Sequence, residues 1–305
     1  MVERNLTISM INELYVSHKN ASSKCDIPNF ELKEESIWGL GWIWKMKCTK
    51  CTYVSKGFKL YKEIESNGGP GHKCAAINYA FQAGITNSNL GNDGARLILA
   101  SAGIPPIGRS TMQKIANKVC DKVVELAEAE TNDIVKSIQN RNQTLGLQKN
   151  NPIKLQMDGT YQSIHIKGRH KMGQNASQVI GIACEDETDD HNIIGYHMLN
   201  KLCWIGAWLR GQGYDVVCPD HENCTANTNP YDPLSEKKLG YEIGLKLGKQ
   251  NLLIDYCTTD GDANCVKGLQ EAMNELFGPL WTVKRLADTV HRGQSQFRQG
   301  LKSKI

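Results

Sequence analysis

The chain has 305 residues with 40% hydrophobic and 22% charged content, which excludes a disordered polypeptide and suits a soluble globular protein of roughly two domains. A formal net charge of +4, from 36 Lys and Arg against 32 Asp and Glu, is too mild to announce nucleic acid by itself and leaves only a local basic face to do so. Eleven cysteines, an odd number crowded into Cys-x-x-Cys and Cys-x-x-His-x-x-Cys spacings, favour zinc in a reducing compartment over a disulfide framework.

The N-terminus, MVERNLTISM, is charged at once and has no signal-peptide core, so an intracellular protein is expected. No window approaches the roughly 18 to 20 apolar residues needed to span a bilayer, so no membrane partner is expected. No dense Lys/Arg cluster supplies a nuclear address.

Residues 1–88 read as a small zinc-stapled β module. Strand-like stretches run over 37–47 and 53–61, and the Trp-rich run 37–44 reads as a buried strand. The loop Ser66-Asn-Gly-Gly-Pro-Gly-His72 is turn chemistry throughout. Cys48-x-x-Cys51 is half of a zinc knuckle flanked by Lys47 and Lys50. Its partners are expected to be Cys74 with either His72 or Cys25, and the fourth ligand stays open.

Residues 89–150 are helical, with one helix over 93–102, a break at Gly103-Ile-Pro-Pro106, and a second over 110–141. Met112, Ile115, Val119, Val123, Leu126 and Ile134 recur at mostly three- and four-residue spacing. The pair fits a helix-turn-helix or a plain αα-hairpin equally well.

Residues 151–305 change to an α/β pattern. Strands are expected over 152–163, 177–184 and 192–202, then a Cys-rich insertion at about 203–232 and a helix over 233–249. A strand over 251–257, a helix over 265–277, a strand over 281–287 and a final helix over 291–305 follow. Three antiparallel strands followed by alternating helices and strands is the element order of a ribonuclease H-like mixed sheet. In that arrangement Asp158, midway along the first strand, lies beside Asp260 and Asp262 at the end of the fourth. Carboxylates converging from distant positions bind hard ions such as Mg²⁺ or Mn²⁺, which serve phosphodiester cleavage. Each Asp-Gly pair alone reads more simply as a turn; their coincidence at matching strand ends favours chemistry.

Within the insertion, Cys203, Cys218, His221 and Cys224 form a donor set suited to a closed, structural zinc site. Cys120, Cys184, Cys257 and Cys265 have no ligand spacing and read as core residues. His291 could reach the carboxylates as a ligand, proton shuttle or phosphate contact, or simply cap a helix. From Lys284 onward, Lys284, Arg285, Arg292, Arg298, Lys302 and Lys304 face a single acid, Asp288, which reads as a DNA-binding face or a solvated helix end.

Taken in order, these motifs resemble the Mutator-like transposase domain of eukaryotic mobile elements, from about Lys47 to Gln299. The resemblance is carried by Cys48-Thr-Lys-Cys51, Met157-Asp-Gly-Thr-Tyr161, the Cys/His insertion, Thr259-Asp-Gly-Asp-Ala263 and the Asp288-x-x-His291 stretch. It implies a ribonuclease H-like fold and Mg²⁺-dependent DNA cleavage and strand transfer, with Asp158 and Asp260 or Asp262 as the first two acids of an Asp-Asp-Glu triad. The family's final Glu lies well downstream of its Cys-x-x-His motif, and here 14 residues follow His291 with no acid among them. The resemblance therefore leaves three expectations for the third position: the domain is truncated, another copy in a homo-oligomer or a second chain completes it, or His291 supplies it. The alternative function is a zinc-stabilised DNA-binding protein that kept the fold and lost the reaction.

Overall fold

A computed structural model of the chain describes residues 3–64, 73–162, 176–260 and 263–287. It divides into two compact units, Met1–Ala127 and Glu128–Ile305. The loop ending at His72, together with Asp262, His291, Arg292, Arg298, Lys302 and the expected final helix, lies outside the described residues.

The first unit opens with α1 (Arg4–Ala21), a helix not anticipated from the sequence. Met10, Leu14 and His18 recur every fourth residue, so they share one face. Met10 and Leu14 on that face are buried with Phe58 and Leu60. β1 (Phe30–Trp38), β2 (Gly41–Cys48) and β3 (Phe58–Lys59) form an antiparallel sheet in that order.

The Trp-rich run is not one buried strand. It is the tip of the β1–β2 hairpin, with Ile37 and Trp38 exposed and Gly39 at φ +64°, where a side chain would be strained. Asn78 from α2 (Ala76–Thr86) closes that tip, accepting from the Leu40 N–H at 2.8 Å and donating to the Trp38 carbonyl at 3.2 Å. α2 and α3 (Asn92–Ser101) contribute Ile85, Ala95 and Leu99 to a core shared with Met112 of α4 (Arg109–Thr144).

The unit boundary falls inside α4. Met112, Ile115 and Val119 are buried in its first part, and Val135 and Ile138 in its last. Val123 and Leu126, expected on the same apolar stripe, are exposed.

The second unit is built on a five-stranded mixed sheet of order β6-β5-β4-β7-β8. β4 (Ile153–Gln162), β5 (Gln178–Glu185) and β6 (Ile193–Asn200) pair antiparallel; β7 (Ile254–Thr259) and β8 (Lys284–Ala287) extend the sheet in parallel. Along β4, Ile153, Leu155 and Met157 are buried and alternate with exposed Lys154, Gln156 and Asp158, the period of a pleated strand with one face on a core. That core takes in Ala183, Ile194 and Ile254 from the sheet, Ile243 and Leu247 from α6 (Glu236–Lys249) and Leu269 and Met273 from α7 (Asn264–Phe277). Each such fully buried aliphatic contributes about 1.5–3 kcal/mol of transfer free energy.

α6 and α7 approach backbone to backbone. A Cβ at Gly240 would stand 2.0 Å from the Cys265 carbonyl oxygen, and one at Gly268 would stand 1.8 Å from that of Lys237. The β5–β6 turn is tied by Glu185, which is 0% exposed. It accepts from the N–H groups of Glu187 at 2.8 Å, Thr188 at 2.9 Å and Asn192 at 3.2 Å, and from the Thr188 hydroxyl.

The Cys-rich insertion holds a helix the sequence did not announce, α5 (Trp204–Gly211). Its N-cap is Cys203, whose sulfur accepts from the Gly206 N–H at 3.2 Å. Of the cysteines expected in the core, Cys257 is buried, Cys184 and Cys265 are half-buried, and Cys120 is exposed on α4.

Candidate active site and metal clusters

β4 and β7 run parallel, with Gln156 opposite Thr258 as the last matched pair. Asp158 lies two residues further along β4, and Asp260 directly follows the last residue of β7, so both stand just past the end of the paired ladder. Asp158, Asp260 and buried Thr259 line a cleft there together with Gly159 and Glu236. Asp158 and Asp260 are both exposed. Asp158 Oδ1 accepts from the Gly159 N–H at 2.7 Å.

Glu236, the first residue of α6, was legible in the sequence only as part of a helix start. The Ser235 side chain caps that helix by accepting from the Lys238 N–H at 3.3 Å. Glu236 reaches the cleft and accepts from the Tyr161 hydroxyl at 2.7 Å. These carboxylates are hard oxygen donors of the kind Mg²⁺ and Mn²⁺ take. Among the described residues, only two Cys/His groups bring three or more donor atoms within 4.8 Å of one another, and the cleft carboxylates belong to neither.

The first of those groups is Cys203, Cys218, His221 and Cys224. His221 Nε2 lies 3.3 Å from the sulfurs of both Cys203 and Cys218. Its Nδ1 is 3.0 Å from the Glu222 carbonyl, which can only accept, so Nδ1 carries the proton and the Nε2 lone pair faces the sulfurs. Burial opposes ionisation of Cys203, yet hydrogen bonds from the Gly206 and Thr225 backbone hold it down to about 5. Cys224 is pushed up to about 11 by burial and by the neighbouring thiols of Cys203 and Cys218.

The second group is His18, Cys25, Cys48 and Cys51. His18 takes the place expected of Cys74, whose sulfur stands apart, 4.0 Å from Asn78 Nδ2. The physical reason is α1: its fourth-residue face delivers a 1% exposed imidazole 3.3 Å from the Cys51 sulfur, packed edge-on against Phe30 and Tyr53. Burial resists a charge on Cys48, but N–H groups of Lys50 and Asn29 bring its thiol to about 6. Burial and the adjacent thiols of Cys48 and Cys51 raise Cys25 to about 11. Each group is a Cys₃His set with four soft or borderline donors, which fits tetrahedral Zn²⁺ and could hold one ion.

Of the expected nucleic-acid contacts, Lys284 and Arg285 lie on exposed β8. Lys284 Nζ pairs with Asp255 at 3.3 Å and sits over the Tyr256 ring, and Arg285 Nε donates to Thr259 Oγ1 at 3.4 Å, next to Asp260. No described helix is long and apolar enough to cross a membrane.

No curated protein matches the chain. A family model described as Mutator-like transposase matches residues 1–303, nearly its whole length, and the chain belongs to that family.

Proposed function

We propose that the second unit is a ribonuclease H-like domain that cleaves DNA phosphodiester bonds with Mg²⁺ or Mn²⁺ held by Asp158 and Asp260. The observation that carries this reading is the cleft that Asp158 and Asp260 line together, just past the paired residues of β4 and β7. The strand order, an antiparallel trio extended by two parallel strands, and the family membership support it. Divalent ions bound there supply an activated water and stabilise the leaving oxygen. The protein's part is to hold two carboxylates on rigid strands, exposed on the side from which a phosphate arrives.

Asp262 and His291 extend the same set in this reading. Lys284, Arg285, Arg292, Arg298 and Lys302 would meet the phosphate backbone, where cations position DNA without reading sequence. The two zinc ions are structural, since four protein donors leave no open position for water.

Purified protein is expected to nick supercoiled DNA with Mg²⁺ or Mn²⁺, and Asp158→Ala to abolish this; cleavage by that variant at the parent rate overturns the assignment. A second reading is a DNA-binding protein without cleavage, favoured by the cleft carboxylates forming no group of three or more clustered donors among the described residues. It predicts salt-sensitive DNA binding and intact plasmid at every metal concentration.

A further inference from the structure

We propose that the first half of α4 reads duplex DNA in the major groove, with Gln113 and Asn117 on base edges and Lys114 and Lys118 on phosphates. This rests on DNA being the partner, which both readings above share, and is independent of cleavage.

α4 changes character along its length. Over 109–122 it carries Arg109, Lys114, Lys118 and Lys122 against the single acid Asp121; over 123–133 it carries Glu125, Glu128, Glu130 and Asp133 against no cation. A polyanion is attracted to the first stretch and repelled by the second. Met112, Ile115, Ala116 and Val119 turn the apolar side of that first stretch inward. Ser110, Gln113, Lys114, Asn117, Lys118 and Asp121 repeat at the same three- and four-residue spacing on the other side, and all are exposed. At about 1.5 Å per residue this face runs for roughly 20 Å, enough to lie along a groove about 12 Å wide.

A line of amides across three helices orients the face. Buried Gln82 of α2 donates to Asn92 of α3 at 3.1 Å, Asn92 donates to Gln113 at 3.3 Å, and Gln113 donates to Asn117 at 2.9 Å. Among the described residues the Asn117 amide nitrogen donates to nothing, and its oxygen keeps a second lone pair. That donor and acceptor match N7 and the N6 amino group of adenine. Lys114 and Lys118 have no partner among the described residues. The connection from α3 is tied down as well, by Arg96 Nε donating to the Ile107 carbonyl at 2.9 Å and by the Arg109–Asp93 pair at 3.0 Å.

The bland competitor is a helical hairpin whose polar side is merely solvated. On that account exposed substitutions leave DNA binding alone, so affinity and sequence preference are the quantities to read.

The zinc-loaded full chain, without Mg²⁺ or Mn²⁺, selects binders from DNA duplexes with a randomised centre, and affinities for selected and unselected duplexes are followed by fluorescence anisotropy against salt. Asn117→Ala is expected to bind the selected duplex roughly 5- to 100-fold more weakly and the unselected pool as the parent does. Lys114→Ala/Lys118→Ala is expected to weaken binding to every duplex and to lower the slope of log affinity against log salt by about 2. Parent-like preference in Asn117→Ala, or a parent-like slope in the lysine variant, overturns the proposal and leaves the DNA-partner reading standing. A parent chain that binds no duplex overturns that reading too, and tighter binding to single strands of the same sequence overturns the groove assignment. If circular dichroism shows Asn117→Ala misfolded, Asn117→Ser, which keeps an oxygen for Gln113, is read by the same criteria.

Discussion

The two Cys/His groups and the carboxylate cleft are opposite solutions to holding a cation. In each Cys/His group the donors already crowd within 4.8 Å, and they come from helix faces, hairpin ends and loops. Burial, with the neighbouring thiols adding to it, holds Cys25 and Cys224 near 11, while backbone N–H donors draw Cys48 and Cys203 down to about 6 and 5. Such an arrangement wants a permanent ion. The cleft acids form no such cluster among the described residues and lie at the end of a sheet with its own aliphatic core. A site assembled on self-supporting strands can gain and lose ions without unfolding, as catalysis demands, and the contrast fixes which removals should be felt as stability and which as activity.

The largest effect is expected at the first Cys/His group. His18→Ala should lower bound zinc by one ion per chain and unfold much of the first unit, a loss of several kcal/mol and up to about 10, while chelation should remove the ions of both groups, seen by zinc analysis and circular dichroism. Unchanged zinc content would show that His18 is not a ligand.

A smaller effect should follow Glu185→Gln. The buried carboxylate loses acceptors matched to three backbone N–H groups, at a cost of about 1–3 kcal/mol by urea melts. Burial alone would raise its pKa, yet the Thr188 hydroxyl and the three N–H donors hold it below the ordinary 4.5. Its contribution is therefore complete above that value and disappears as pH falls through the lowered one. The Gln variant should lack this acid limb, and an identical pH profile would refute the assignment.

The smallest stability effect belongs to Asp158→Ala, an exposed position expected to stay within about 0.5 kcal/mol of the parent while cleavage is lost. A large stability loss at Asp158 would erase the distinction between the two kinds of site.

The mixed sheet was the most legible part of the chain, because β4 alternates buried Ile153, Leu155 and Met157 with polar residues and a short polar turn separates β5 from β6. The first unit was read less well. α1 is polar on most of its surface, and its three inward residues include a histidine, so the helical stripe was thin. His18 lies 30 residues upstream of Cys48 with no spacing signal linking them, so only the folded helix reveals it as a donor. Glu236 was hidden differently: Ser235-Glu236 satisfies the chemistry of a helix start completely, and nothing local hints at the β4 tyrosine that engages it.

The glycine contact between α6 and α7 gains a second meaning from these sites. Glu236 is four residues before Gly240, and Asp260 is five before Cys265, whose carbonyl Gly240 faces. With no side chain between the two backbones, the helix spacing acts as a fixed gauge block for the cleft beyond it. One added methyl at Gly240 or Gly268 would open that gauge, and a change far from any carboxylate would register as a mis-set reaction distance.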